Sequence, residues 1–282
     1  MQTFITLLIT AALAAALQPK KPRARDLGVP FEGTPGTNNA ITAVAGVEVG
    51  FTTLIKGEGA LIEGTGPVRT GVTAILPRGK SSNDPAMAGW FSLNGNGEMT
   101  GTTWIKESGF LEGPVFITNT HSVGVVRDAS IAWGLKHGAT LQPWSLPVVA
   151  ETWDGTLNDI NGFHVKPEHV FAALLPHQLE RIARRASLGL ARTGATSGNS
   201  SGDIFLAFST ANAKSASVPD VATVQMLSNE RISALFSATV QATEEAIVNA
   251  LVAAETMTGA NGRVVERLPH ETLKALLKKY GR

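Results

Sequence analysis

Apolar residues along this chain fall into two patterns. Short runs bounded by glycine or proline occur at residues 47–52 (VEVGFT), 68–76 (VRTGVTAIL), 115–118 (VFIT), 146–150 (LPVVA) and 204–208 (IFLAF). Such runs predict buried strands. Elsewhere apolar residues recur every three or four positions. Val125, Ala129, Ile131, Ala132 and Leu135 predict a helix over residues 122–137, with Ser122 as N-cap and Gly138 as the stop. Leu179, Ile182, Ala183, Ala186 and Leu190 form a second stripe, opened by Pro176. Residues 229–258 read as a long alanine-rich helix. Residues 269–280 read as a last one, with Lys278 and Lys279 in its final turn, where they suit the helix dipole. Strands interleaved with helices predict a layered α/β fold.

One stretch breaks this order. Pro167 and Glu168 open a helix that runs through Val170, Phe171 and Leu174. Pro176 then falls where the helix interior should be, at a cost of about 3 kcal/mol. Two helix starts meet with no connecting loop, although helix–helix connections commonly use two or more residues. Either the proline kinks one helix, or two segments once far apart are joined near Leu174 and Leu175.

The first seventeen residues, MQTFITLLITAALAAAL, are apolar and uncharged. The run is short for a bilayer span and fits a signal-peptide core, with small-residue cleavage patterns at Ala12-Leu13-Ala14 and Ala14-Ala15-Ala16. A buried N-terminal helix is the other reading. The expected layout is a leader at 1–17, a basic linker at 18–25 and one domain at 26–282. An exported, periplasmic or secreted protein without stable membrane insertion is the corresponding expectation.

Composition narrows the chemistry. No cysteine is present, which excludes disulfides, thiol nucleophiles and cysteine-bound metals. A net charge of +1 argues against nucleic acid as the main ligand. The six histidines have no metal-ligand spacing, so no metal is expected. What remains are loops rich in glycine and asparagine: residues 94–101 (NGNGEMTG), 118–122 (TNTHS), 151–155 (ETWDG) and 198–203 (GNSSGD). Loops of this kind present amides, hydroxyls and backbone N–H groups with little bulk, which suits a zwitterion or an oxyanion. Residues 118–122 would add a helix N-terminus. Ordinary turn chemistry uses the same residues.

Six longer segments carry a resemblance: PVRTGVTAILPR (67–78), NGNGEMTGTTWI (94–105), GPVFITNTHSVGVV (113–126), PVVAETWDGTLNDINGFHV (147–165), LPHQLERIARRASLGLARTG (175–194) and SGDIFLAFSTAN (201–212). In order, from about Arg25 to the C-terminus, they resemble the L-aminopeptidase/D-esterase family, which includes β-peptidyl aminopeptidases. The resemblance implies an αββα sandwich and a precursor that cleaves itself at a Gly–Ser bond. It also implies a serine nucleophile with a free amine, no cofactor, and short peptide, amide or ester substrates with a free amino terminus. A homo-oligomer is expected of the intact protein.

Carried over by position, Ser201 and Asp203 fall on the catalytic serine and acidic residue of the family's Asn-x-Ser-Gly-(Asp/Glu) motif. Trp153 stands where the family has a tyrosine, supplying an N–H donor but no hydroxyl. Asn94, Glu98, Asn119 and His121 fall on the substrate pocket walls. The nucleophile has no counterpart: the segment bearing it should precede Leu175, and here Leu174 runs straight into Leu175. Core strands of the sandwich are expected to be missing with it. The readings this leaves are an aminopeptidase lacking its nucleophile, a non-catalytic module for amino-terminated ligands, or a hydrolase using Ser201 itself. The last lacks a motif-linked histidine base.

Overall fold

The computed structural model describes residues 21–138, 143–173, 180–198, 200–228 and 231–282. The expected leader therefore lies outside the described residues, as does the Leu174–Leu175 junction. The first sheet has four strands, in the order β1 (Glu48–Lys56), β2 (Val68–Leu76), β5 (Val115–Asn119), β6 (Val148–Thr152). β1 and β2 form an antiparallel ladder from Glu48 opposite Leu76 to Lys56 opposite Val68. β5 and β6 are parallel, and a helix crosses over between them. The second sheet has three strands, in the order β4 (Phe110–Leu111), β3 (Ala86–Ser92), β7 (Ile204–Ser209).

Four layers result. Numbering helices in chain order, α1 is Thr102–Ser108, α2 Val123–His137, α3 Pro167–Ala173, α4 Glu180–Arg192, α5 Ser233–Ala253 and α6 His270–Lys279. α2 and α3 cover one face of the first sheet, where Leu54, Val72, Ala74, Phe116 and Val149 pack on Val126, Ala129, Trp133 and Val170. The second sheet packs on part of the opposite face, through Ala86, Ala88, Leu111 and Phe208, joined by Ile105 of α1, against Val115 and Val148. α4 lies on the second sheet's β3 and β7, with α5 against α4. Gly189 permits that crossing, since a Cβ there would sit 2.6 Å from the Val240 carbonyl oxygen. The layered α/β class read from the sequence is the class observed.

Several elements differ from expectation. The long helix stops at Ala253 rather than near Thr258. Ala254 turns to an extended backbone, and Met257–Thr258 (β8) pairs with Val264–Val265 (β9) in a two-stranded ladder. Ser122 does precede α2, and Gly138 ends it in the left-handed region, but the Ser122 hydroxyl makes no cap bond. Capping falls instead to Asn119, whose side chain accepts from the His121 N–H at the head of a short 3-10 turn. β3 carries no strand signal in its AMAGWFS sequence, yet it is the central strand of the second sheet.

Candidate active site

The antiparallel register of β3 and β7 sets Ser92 opposite Ile204. The loop leaving β3 therefore meets the loop entering β7. Asn94 and Asp203 lock the two together: the Asn94 amide donates to Asp203 Oδ2 at 2.9 Å, and the Asp203 N–H donates to Asn94 Oδ1 at 2.9 Å. The Ser201 hydroxyl donates to the same Asp203 Oδ2 at 2.9 Å. Asn96 donates to the Ser200 carbonyl at 2.9 Å. Gly202 is required here, because any Cβ would collide with the Asn96 backbone. Three residues read from the sequence, Asn94, Ser201 and Asp203, thus form one cluster.

Asn119 and His121 lie in a second group, at the carboxyl ends of β5 and β6. The buried Asn119 amide donates to Thr70 Oγ1 at 2.8 Å. His121 stacks on Phe163, with ring centroids 6.0 Å apart. Trp153 is exposed at the rim, its indole lying over Gly155. Glu98 is exposed, and its carbonyl accepts from the Glu151 N–H at 3.1 Å.

Two carboxylates given no role by sequence reasoning stand beside these residues, and one of them, Glu151, connects the two groups. Glu151 Oε2 accepts from the Thr120 hydroxyl at 2.6 Å, and Glu151 Oε1 lies against Gly97. Glu151 therefore joins the loop after β3 to the turn after β5. Asp154 accepts from the Asn158 amide at 3.0 Å and from the Thr70 hydroxyl. Burial pushes the Asp154 carboxyl above its ordinary value, against the pull of these hydrogen bonds. Both residues lie in the ETWDG stretch; apart from Asn158, four residues from Asp154, their partners are remote in sequence.

The chemistry of the first cluster is restricted. Ser201 donates its proton to a carboxylate, which is a weak base for a hydroxyl, and that carboxylate already accepts from Asn94. The arrangement is suited to holding an amine or hydroxyl brought to it rather than to generating an alkoxide. Among the described residues no group of three or more His, Asp or Glu is placed to hold a metal ion. No described helix is long and apolar enough to cross a membrane.

The fold is that of an Ntn hydrolase. An L-aminopeptidase D-Ala-esterase/amidase from Ochrobactrum anthropi, described as a prototype for the serine aminopeptidases and a variant of the Ntn hydrolase fold, superposes with a TM-score of 0.85. It is 36% identical over 93% of this chain and 99% of that one. A protein of Pyrococcus horikoshii OT3 superposes with a TM-score of 0.86, at 33% identity over 93% of this chain and 100% of that one. The chain belongs to peptidase family S58, which matches residues 39–175 and 172–265, and it is therefore of a hydrolase family acting on peptides. It is 43% identical to the β-peptidyl aminopeptidase BapA of Sphingosinicella microcystinivorans, covering 99% of this chain and 98% of that protein. It is 37% identical to the BapA of Sphingosinicella xenopeptidilytica, covering 97% and 95%.

Two details of these matches bear on the chemistry. The family matches in two stretches that meet at residues 172–175. The alignment to the first BapA runs over 387 residues although this chain has 282, so more than a hundred aligned positions carry no residue of this chain.

Proposed function

We propose that this chain descends from aminopeptidases that release N-terminal residues from short peptides, amides or esters, and that it lacks the segment bearing the serine nucleophile. The observation that carries this reading is the family match divided at residues 172–175, with an alignment far longer than the chain.

In this reading Ser201 and Asp203 are the surviving partners of an absent nucleophile. Asn94 holds their loop, and Glu98, Asn119, His121 and Trp153 are remnants of the pocket. Residues 1–17 are the leader of an exported protein, and the complete enzyme assembles from several copies. A second reading is favoured by the closed hydrogen bonding among Asn94, Ser201 and Asp203, which needs no nucleophile. Here the chain binds amino-terminated ligands without turning them over.

Mass spectrometry of the purified chain and an aminoacyl p-nitroanilide assay test the proposal. The expected result is one uncleaved chain after leader removal and no turnover above background. Two fragments, one beginning with serine, would overturn it. Turnover abolished by Ser201→Ala would instead assign the chemistry to Ser201.

A further inference from the structure

The first sheet is covered on one face along its whole width. Among the described residues, the other face is covered where Ile75, Val115 and Val148 meet the second sheet. Beyond that line, Phe51 is 71% exposed, Ile55 56% and Ile117 38%, and Thr53 and Thr73 lie between them on the same face. With Arg69 and Met257 these residues line an open groove of about 340 Å³. Phe51 and Ile55 on β1 and Ile117 on β5, with Thr73 of β2 between them, leave exposed apolar side chains on one side of the sheet, as on a face built to be buried.

The second sheet stops short on the same side. Its strand β7 pairs with β3 and, among the described residues, with no other strand. Arg78, just past the end of β2, donates to the Thr210 and Ala211 carbonyls just past the end of β7. At the other edge of the sheet, β4 leads through residues 112–114 directly into β5. β7 is therefore the strand nearest β2, and its edge away from β3, which among the described residues pairs with no further strand, points toward the side where β1 lies bare. Strands added to that edge at the usual spacing of about 4.8 Å would extend the second sheet over Phe51, Ile55 and Ile117.

We infer that this face and the β7 edge together form an acceptor site for a separate polypeptide: a segment of two or more strands with one apolar face, entering by edge pairing with β7. The inference rests on the proposed loss of an internal segment. More than a hundred aligned positions have no residue here, ample for several strands, and the family match divides at residues 172–175, at the end of α3. A second copy of this chain matches less well. Covering the face by edge pairing needs a strand that lies in the plane of the second sheet, and the copy's own free edge is already part of the same unfilled gap.

The test co-expresses the tagged full chain with the part of the 43%-identical BapA that aligns to the gap, untagged. The expected result is recovery of the BapA segment on the tagged chain in a one-to-one complex, with self-association of the chain suppressed. Phe51→Lys and Ile55→Lys, both at exposed positions, should each reduce recovery at least tenfold while leaving the chain's own melt unchanged. Failure to recover the segment on soluble chain overturns the inference. So does recovery that is indifferent to both lysine variants, or a symmetric dimer of the chain that excludes the segment and is broken by those variants. These outcomes are read from binding alone. They stay distinct from failure of the proposed function, which would appear as self-cleavage or turnover by the chain without the segment.

Discussion

The two faces of the first sheet are made from the same strands and differ completely in what they do. Neighbouring residues Phe116 and Ile117 point to opposite sides of β5. Phe116 is fully buried beneath α2, whereas Ile117 is 38% exposed in the groove. The covered face is held by a contiguous core reaching from Leu54 to Trp133. The uncovered face carries Phe51, Ile55 and Ile117 among Thr53, Thr73 and Arg69, and among the described residues no sheet or helix covers its outer half. Apolar content alone therefore does not make a core. It needs a second layer, and that layer must arrive from elsewhere in the chain or from another molecule.

Substitutions on the two faces should separate sharply in denaturant unfolding. Phe116→Ala should destabilise by about 3–5 kcal/mol, because it removes a large ring from a closed core. Ile117→Ala, one residue along, should change stability by less than about 1 kcal/mol. Equal effects would mean that the groove is closed in solution.

A smaller contrast lies on β1. A Cβ on Gly50 would sit 2.7 Å from the Ala173 carbonyl at the end of α3, so Gly50→Ala should cost about 1–3 kcal/mol by overpacking. Thr53→Ala on the bare face should fall within about 0.5 kcal/mol. Thermal melts of the two variants, run side by side, check the pair. A silent Gly50→Ala would show that α3 is not seated on β1 as described.

The bare face should make the chain self-associate, and Phe51→Ser should lower that association, measured by sedimentation velocity, while leaving stability within about 0.5 kcal/mol of the parent. If association persists unchanged, the uncovered face is not its source.

The smallest expected effect is at Asp154, at the margin of the groove. Burial raises its carboxyl above the ordinary value, so the folded state keeps this proton to higher pH than the unfolded state does. Stability then falls as pH rises from the ordinary value to the raised one, and stays lower above it. Asp154→Asn removes that loss while keeping an acceptor for Asn158. The variant should melt slightly higher than the parent at neutral pH, and the difference should vanish once pH drops below the ordinary aspartate range. A difference independent of pH would assign the effect to hydrogen bonding instead.

Much of this was legible along the chain. Apolar stripes gave α2 and the glycine that ends it, and bounded apolar runs gave β2, β5 and β7. The Gly- and Asn-rich loops were visible in the sequence, and the family resemblance singled out Asn94, Ser201 and Asp203 within them; these three meet in space. What stayed hidden was nonlocal. β3 has alanine, glycine and methionine where a strand usually shows branched residues, and only its two neighbours make it a strand. The alanine-rich run after residue 229 favours helix to its end, yet pairing with Val264 and Val265 claims Met257 and Thr258.

The sequence by itself determined which segments could be buried and which loops could carry amides and carboxylates at their tips, because side-chain period and turn chemistry act over a few residues. Only the tertiary structure decided that Glu151 would bridge two loops, that Asp154 would be held by Thr70 and Asn158, and that one face of a continuous sheet would be left half bare. Burial of a face depends on what is brought against it from a distance, and no local pattern of residues encodes a layer that is not there.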